Sequence, residues 1–318
     1  MRIDGTGVGP GGSGNHGLLV VSTPSIVPNM DVARRASPPL RGATLMPHVL
    51  PSPKILVFDS GLGGLTVYRE LVQARPDATF IYAADDAYFP YSEKAANALT
   101  VRVVDIVGKL IAAHQPDIVV IACNTASTIV LPTLRARFDI PFIGTVPAIK
   151  PACAASTSKM VSVLGTDATV KREYTQALIR EFAAGCSITL VGSPRLASYA
   201  EAELAGEAVA DELIAAETSA CFVQEDTGRT DVVVLACTHY PLLVERIARL
   251  APWPVKFIDP APAIARRMVE LVGPLCGASA GSGCAIFTSG AKLSPHLSAA
   301  LAKFGIAEVG ARAMGSTG

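Results

Sequence analysis

Along most of the chain, short apolar runs alternate with segments whose apolar residues recur at helical spacing. Ile55-Leu56-Val57-Phe58 is apolar at every position and ends at Asp59-Ser60-Gly61. Leu65, Tyr68, Leu71 and Val72 then recur with a period of three to four until Pro76. Thr79–Ala83, Ile118–Ala122 and Pro141–Gly144 repeat the first kind of run, and helix-period segments separate them. Strands apolar on both faces and joined by helices predict parallel sheets covered on two sides. The same alternation restarts after Lys150. Met160–Leu164, Ser187–Val191, Val232–Ala236 and Val255–Ile258 read as strands. Val170–Phe182, the Ala- and Glu-rich run from Ala200 to Thr218, and Leu242–Leu250 read as helices, as does Ala263–Val272. The expected fold is α/β, with two similar parallel-sheet domains in a pseudo-twofold arrangement and a site in the cleft between them. The first domain is expected to span 54–147 and to regain the chain at about 259–275, and the second to span 148–258. Residues 1–53 are rich in Gly and Pro without sustained periodicity, and read as a disordered extension. Residues 276–318 read as a weakly patterned tail.

Composition narrows the classes. The 318 residues carry 27 basic and 27 acidic side chains, so the net charge is zero and broad binding to a nucleic-acid backbone is disfavoured. The chain is 50% hydrophobic, but no uninterrupted apolar window is long enough to span a bilayer, so the apolar content is expected to fill a soluble core. Seven cysteines in a chain of this length, none in C-x-x-C spacing, fit a reduced cytoplasmic protein rather than a disulfide framework.

Two of those cysteines stand in equivalent places. Ile118–Ala122 is followed by Cys123-Asn124-Thr125, and Val232–Ala236 by Cys237-Thr238-His239. Each Cys closes a buried strand and opens a helix. Ligands of parallel α/β sheets bind beyond such strand ends, and a helix N-terminus favours a thiolate or a bound carboxylate. Two thiols facing one carbon from opposite sides suit a two-base inversion: one sulfur removes a proton and the other delivers one. A free thiol, with a pKa of ~8.5, can reach both forms near neutrality. Asp59, at the first strand end, and His239 are placed to assist. Cys237-x-His239 could also offer two metal ligands, but a third and fourth are lacking, so no metal is expected. Asp59-Ser60-Gly61-Leu62-Gly63-Gly64 follows a strand like a dinucleotide fingerprint, but Thr66 stands where the third Gly belongs. These glycines are instead expected to bring backbone N–H groups to a small anion such as a bound carboxylate.

Taken together these motifs resemble the glutamate racemases. Val57–Val67 is similar to that family's opening signature, and Asp85-Asp86-Ala87-Tyr88-Phe89-Pro90-Tyr91-Ser92 to its D-x-x-x-x-P-Y-G loop. Ala122–Ser127 and Cys237-Thr238-His239-Tyr240-Pro241 are similar to its two catalytic segments. Pro147–Ala152 and Thr169–Arg172 also fit, and the resemblance runs from about Lys54 to about Val272. It implies a cofactor-independent racemase acting on L- and D-glutamate. Cys123 is then the base toward D-glutamate and Cys237 toward L-glutamate, with Asp59, His239 and Glu201 in support. The implied substrate contacts are Asp59, Ser60, Tyr91, Ser92, Asn124, Thr125, Thr238 and His239, with Thr166 and Thr169 as further positions. Ser92 departs from the family's usual Gly, and Asp86 from its more frequent Thr or Asn. Aspartate racemases are a related alternative, and a binding protein on a racemase scaffold is an alternative of another class. The resemblance also implies a role in supplying D-glutamate for peptidoglycan. It extends to a branch activated by the precursor UDP-N-acetylmuramoyl-L-alanine, in a monomer or homodimer.

Overall fold

The structure, a computed structural model, describes residues 2–3, 50–275, 281–306 and 308–310. Thirteen strands are described: β1 Arg2–Ile3, β2 Lys54–Asp59, β3 Thr79–Ala84, β4 Ile118–Ile121, β5 Phe142–Gly144, β6 Met160–Thr166, β7 Ser187–Ser193, β8 Gln224–Glu225, β9 Gly228–Arg229, β10 Val232–Ala236, β11 Lys256–Ile258, β12 Ser282–Phe287 and β13 Glu308–Gly310. The helices are α1 Leu65–Ala74, α2 Ala96–His114, α3 Asn124–Arg137, α4 Ile149–Ala155, α5 Asp167–Val170, α6 Glu173–Phe182, α7 Leu196–Ala205, α8 Asp211–Thr218, α9 Val244–Leu250, α10 Ala261–Val272 and α11 Pro295–Lys303.

Two main sheets result. One runs β13-β12-β3-β2-β4-β5 with every pair parallel. The other runs β1-β7-β6-β10-β11 and is parallel apart from the β1–β7 edge. Their centres share one order, since β3-β2-β4-β5 corresponds to β7-β6-β10-β11 strand for strand. The uninterrupted apolar runs have a direct cause. In β2, Ile55 and Val57 face a core closed by α1 and α10, while Leu56 and Phe58 face one closed by α2 and α3. In β10, Val233 and Leu235 face a core that includes α7, and Val232 and Val234 one that includes α4 and α6. Each such fully buried aliphatic side chain contributes roughly 1.5–3 kcal/mol.

The same arrangement creates the sites. The helix after β2 covers one face of its sheet and the helix after β4 the other, so the chain diverges beyond these neighbouring strands and leaves a crevice. The ends of β6 and β10 repeat the arrangement.

Three expectations change. The tail 276–318 holds a strand, β12, that pairs in parallel with the full length of β3 from Ser282↔Thr79 to Phe287↔Ala84. Its sequence was hard to read because only Ala285, Ile286 and Phe287 are buried; pairing to β3, not an apolar run, makes it a strand. The run Ala200–Thr218 is not one helix. Gly206 takes φ +92°, and its N–H and that of Glu207 close α7 on Glu203 and Ala202 before α8 begins. The extension 1–53 supplies the short β1 pairing, and Leu50 N–H donates to the Val272 carbonyl, while residues 4–49 lie outside the described residues.

Candidate active site

The ends of β2, β4, β6 and β10 meet in one pocket. Ser60, Phe89, Pro90, Tyr91, Ser92, Cys123, Asn124, Thr125, Thr166, Ala197, Ala236, Cys237, Thr238 and His239 line it. Both cysteines thus open into the same space from different sheets. The pocket has about 20 Å³ of free space, room for little more than one water.

Cys123 is the N-cap of α3, and its sulfur accepts the Ala126 N–H at 3.5 Å. Ser60 Oγ lies 3.6 Å from the same sulfur. Burial pushes the Cys123 thiol up to about 12, and the nearby Asp59 carboxyl adds to the rise. Asp59 is itself wholly buried. One of its oxygens accepts the Gly61 and Gly64 N–H groups at 3.2 and 3.0 Å, and the other accepts Thr238 Oγ1 at 3.4 Å. Burial raises the Asp59 pKa to about 6 against the pull of His239 and these backbone donors.

Cys237 keeps different company. Its sulfur lies 3.7 Å from His239 Nδ1, and His239 Nε2 lies 2.7 Å from Glu201 Oε1. Nε2 is also 3.2 Å from the Gly63 N–H, but it cannot accept from Gly63 and donate to Glu201 with one proton. The shorter, charge-assisted contact decides, so Nε2–H donates to Glu201 and Nδ1 faces the sulfur. Burial opposes charge on His239, but hydrogen bonds to Cys237 and Glu201 and their charges outweigh it and raise the imidazole well above its ordinary value. Phe89 closes over the ring at a centroid distance of 5.4 Å.

The glycine loop explains how the halves join, and it corrects an expectation. Its backbone donors hold the protein's own carboxylates, Asp59 through Gly61 and Gly64, and Glu201 through Leu62 N–H at 2.6 Å. A Cβ at Gly61 would lie 2.3 Å from Glu201 Oε1, and one at Gly63 2.4 Å from His239 Nδ1. Glycine is needed there for close approach, not for a left-handed turn. Thr66 Oγ1 reaches the Thr238 carbonyl at 3.0 Å, a bridge between the halves for which the sequence carried no signal. Thr125 meets Thr166 and Thr169 at 3.5 and 3.4 Å. The structure therefore brings every sequence-selected residue to the pocket or its immediate wall. Phe89 was missed, although it sits inside the D-x-x-x-x-P-Y-G-like loop.

Both amide atoms of the Asn124 side chain are buried without a hydrogen-bond partner among the described residues, although Asn124 lies beside Cys123. Unpaired buried amide groups are costly, and these are free to meet a ligand's polar groups. Among the described residues no three His, Cys, Asp or Glu side chains gather as a metal ion would need. Among them also, no helix is long and apolar enough to cross a membrane.

Known proteins resemble this chain along most of its length. The family model for Asp/Glu/Hydantoin racemase matches residues 55–268. The glutamate racemase of Brucella anthropi is 54% identical over 230 residues, covering 72% of this chain and 83% of that protein. The crystal structure of Escherichia coli glutamate racemase, in complex with L-glutamate and the activator UDP-MurNAc-Ala, superposes with a TM-score of 0.74 at 39% identity, over 81% of this chain and 97% of that one. Glutamate racemase from Thermus thermophilus, in complex with β-chloro-D-alanine, superposes with a TM-score of 0.64 at 28% identity, over 83% of this chain and 98% of that one. On the strength of the match along most of its length, the chain belongs to the Asp/Glu/Hydantoin racemase family of isomerases.

Proposed function

We propose that this protein interconverts L- and D-glutamate by proton transfer between two cysteines. The observation that carries the proposal is the convergence of two buried sulfurs, from equivalent strand ends of two sheets, on one pocket. Burial keeps Cys123 as the thiol at rest. Hydrogen bonds to Cys237 and Glu201 raise the His239 imidazole well above its ordinary value and set it against the Cys237 sulfur. In the L-to-D direction Cys237, as thiolate, takes the α-proton and becomes a thiol. The Cys123 thiol gives its proton to the opposite face of the α-carbon and becomes the thiolate. The carbon is inverted, one proton has entered and one has left, and the reverse sequence serves D-glutamate.

The surrounding groups fit this division. Asp59 assists Cys123, and His239 with Glu201 assists Cys237. The backbone and hydroxyl groups of Ser60, Ser92, Thr125 and Thr238, the Asn124 amide and Tyr91 hold the substrate, with Thr166 and Thr169 behind Thr125. Each step uses only protein groups and substrate, so neither metal nor organic cofactor is required. The pocket as it stands admits little more than one water, and on this reading the two halves part to admit substrate and close again. Closure excludes water and strengthens every interaction inside.

The proposal extends to a wider role, a cytoplasmic supply of D-glutamate for peptidoglycan. The E. coli protein, bound to L-glutamate and the activator UDP-MurNAc-Ala, supports activation of this chain by the same precursor. The test uses pure protein in deuterated water with each enantiomer of glutamate and of aspartate, with and without UDP-MurNAc-L-alanine and without cofactor. Inversion followed by circular dichroism, with α-deuterium in the product, is expected for glutamate. Inversion of aspartate alone would reassign the substrate. No inversion and no deuterium under any condition would reject the enzyme.

A further inference from the structure

The loop that carries Phe89, Tyr91 and Ser92 into the pocket starts at two adjacent carboxylates, and both are fastened to the chain's C-terminal segment. Asp85 is wholly buried. Its oxygens accept Tyr91 OH at 2.7 Å, Arg102 Nε at 2.7 Å, Arg102 Nη2 at 2.6 Å and Thr288 Oγ1 at 2.6 Å. Thr288 Oγ1 in turn accepts the Ala87 N–H at 3.3 Å. Asp86 accepts the Ser289 N–H at 2.9 Å and the Ser289 hydroxyl. These contacts depend on register. Phe287 pairs with Ala84, and the Thr288 N–H donates to the Ala84 carbonyl at 3.0 Å, so β12 and β3 end side by side and their next residues meet. Asp86, the departure from the family's more frequent Thr or Asn, thus has its partner in a segment beyond the matched residues 55–268.

We infer that Thr288 and Ser289 are positioning residues for the substrate pocket, acting through Asp85 and Asp86 on the loop that presents Phe89, Tyr91 and Ser92. Neither touches the reacting atoms. Thr288 saturates the carboxylate that also orients Tyr91, and Ser289 fixes the first turn of the loop. Removing the Thr288 hydroxyl leaves Asp85 short of a donor and the Ala87 N–H without its acceptor. Tyr91 and Ser92 then lose their fixed place in the pocket. The chemistry at the two sulfurs keeps its groups, so substrate binding suffers more than turnover.

This inference rests on the proposal that the pocket holds an amino-acid substrate, and its test separates the two. Steady-state racemisation of both glutamate enantiomers is measured for the full chain, Thr288→Val, Thr288→Ser and Ser289→Ala. Amide hydrogen exchange of residues 86–94 is followed without substrate. Thr288→Val should raise KM roughly tenfold, the scale of one hydrogen bond to a charged group, and leave kcat within about twofold. Thr288→Ser should restore the parent KM. Ser289→Ala should raise KM by roughly threefold, because Asp86 keeps its backbone donor. Exchange in 86–94 should quicken in Thr288→Val and Ser289→Ala but not in Thr288→Ser. Parent-like KM and exchange in Thr288→Val would overturn the inference, as would a loss confined to kcat. If Thr288→Val does not fold, Ser289→Ala decides by the same criteria. If the parent racemises neither glutamate nor aspartate, the functional proposal fails, and the exchange contrast still decides whether the clamp exists.

Discussion

Cys123 and Cys237 close equivalent strands, in sheets whose central strands share one order, at equivalent switch points. Yet each is served by a different apparatus. Cys123 has the hydroxyl of Ser60 beside it and a buried carboxyl, Asp59, nearby. Cys237 faces an imidazole that a second carboxylate holds from behind. The first surrounding raises the Cys123 thiol by burial, whereas the second sets an imidazole raised above its ordinary value against the Cys237 sulfur. A fold that repeats itself thus gives its two sulfurs different surroundings, and a two-base inversion requires one of them as thiolate and the other as thiol at its start. The halves are also cross-braced. Thr238, from the second half, reaches Asp59, and the glycine loop of the first half packs on His239 and Glu201. Each cysteine's helpers are therefore held within their own half and also contacted from the other.

The largest expected effect tests whether both sides are needed. Cys123→Ser and Cys237→Ser should each lower racemisation by roughly 10²- to 10⁴-fold, the scale of general acid–base catalysis. Circular dichroism at saturating L- or D-glutamate checks it, and full turnover by either variant would leave the comparison without a mechanism.

Next come the close approaches. Gly63→Ala places a Cβ against the His239 ring, and Gly64→Ala places one 2.6 Å from Asp59 Cβ. Displacements of about 1 Å cost up to 10²-fold in such sites, so each should depress kcat on that scale. The two directions should differ. Enantiomers are equal in free energy, so kcat/KM must fall equally both ways. The asymmetry belongs in the α-deuterium isotope effects, which should rise more from L-glutamate in Gly63→Ala and from D-glutamate in Gly64→Ala. The same change in both would dissolve the division of labour.

The smallest effect is in stability, and it isolates the Asp59 side. Its carboxyl is raised from 3.8 to about 6 by burial. A group raised on folding favours the folded state below its unfolded pKa, and that contribution is lost as pH rises through the folded pKa. From about pH 4 to above pH 6 the parent should lose on the order of 2–3 kcal/mol relative to Asp59→Asn. Paired urea titrations at several pH values measure that difference. A constant difference would mean that Asp59 is not buried as a neutral acid.

Much of this was legible in the sequence for a physical reason. Strands covered on both faces have to be apolar throughout, so β2, β4 and β10 announced themselves most plainly, and the repeated strand-Ala-Cys pattern marked both switch points. Asp59, His239 and Glu201 were found by their place beside those ends or through the family resemblance. The remainder depends on partners distant in sequence. Nothing local says that the Leu62 N–H reaches Glu201, that Thr66 reaches the Thr238 carbonyl, or that Gly63 is small because His239 needs the room. The strand β12 escaped notice because it is defined by its pairing with β3, and only its last three residues are buried. The break at Gly206 was hidden in an Ala- and Glu-rich run whose composition suits a continuous helix.

The central claim is that the proton removed and the proton delivered belong to different sulfurs. It is tested most directly by the deuterium content of the first product. With α-protiated L-glutamate in deuterated water at low conversion, the D-glutamate formed should carry solvent deuterium at the α-carbon while the remaining L-glutamate stays protiated. D-glutamate that retains the original proton would mean that one group carries it from face to face, and would contradict the account.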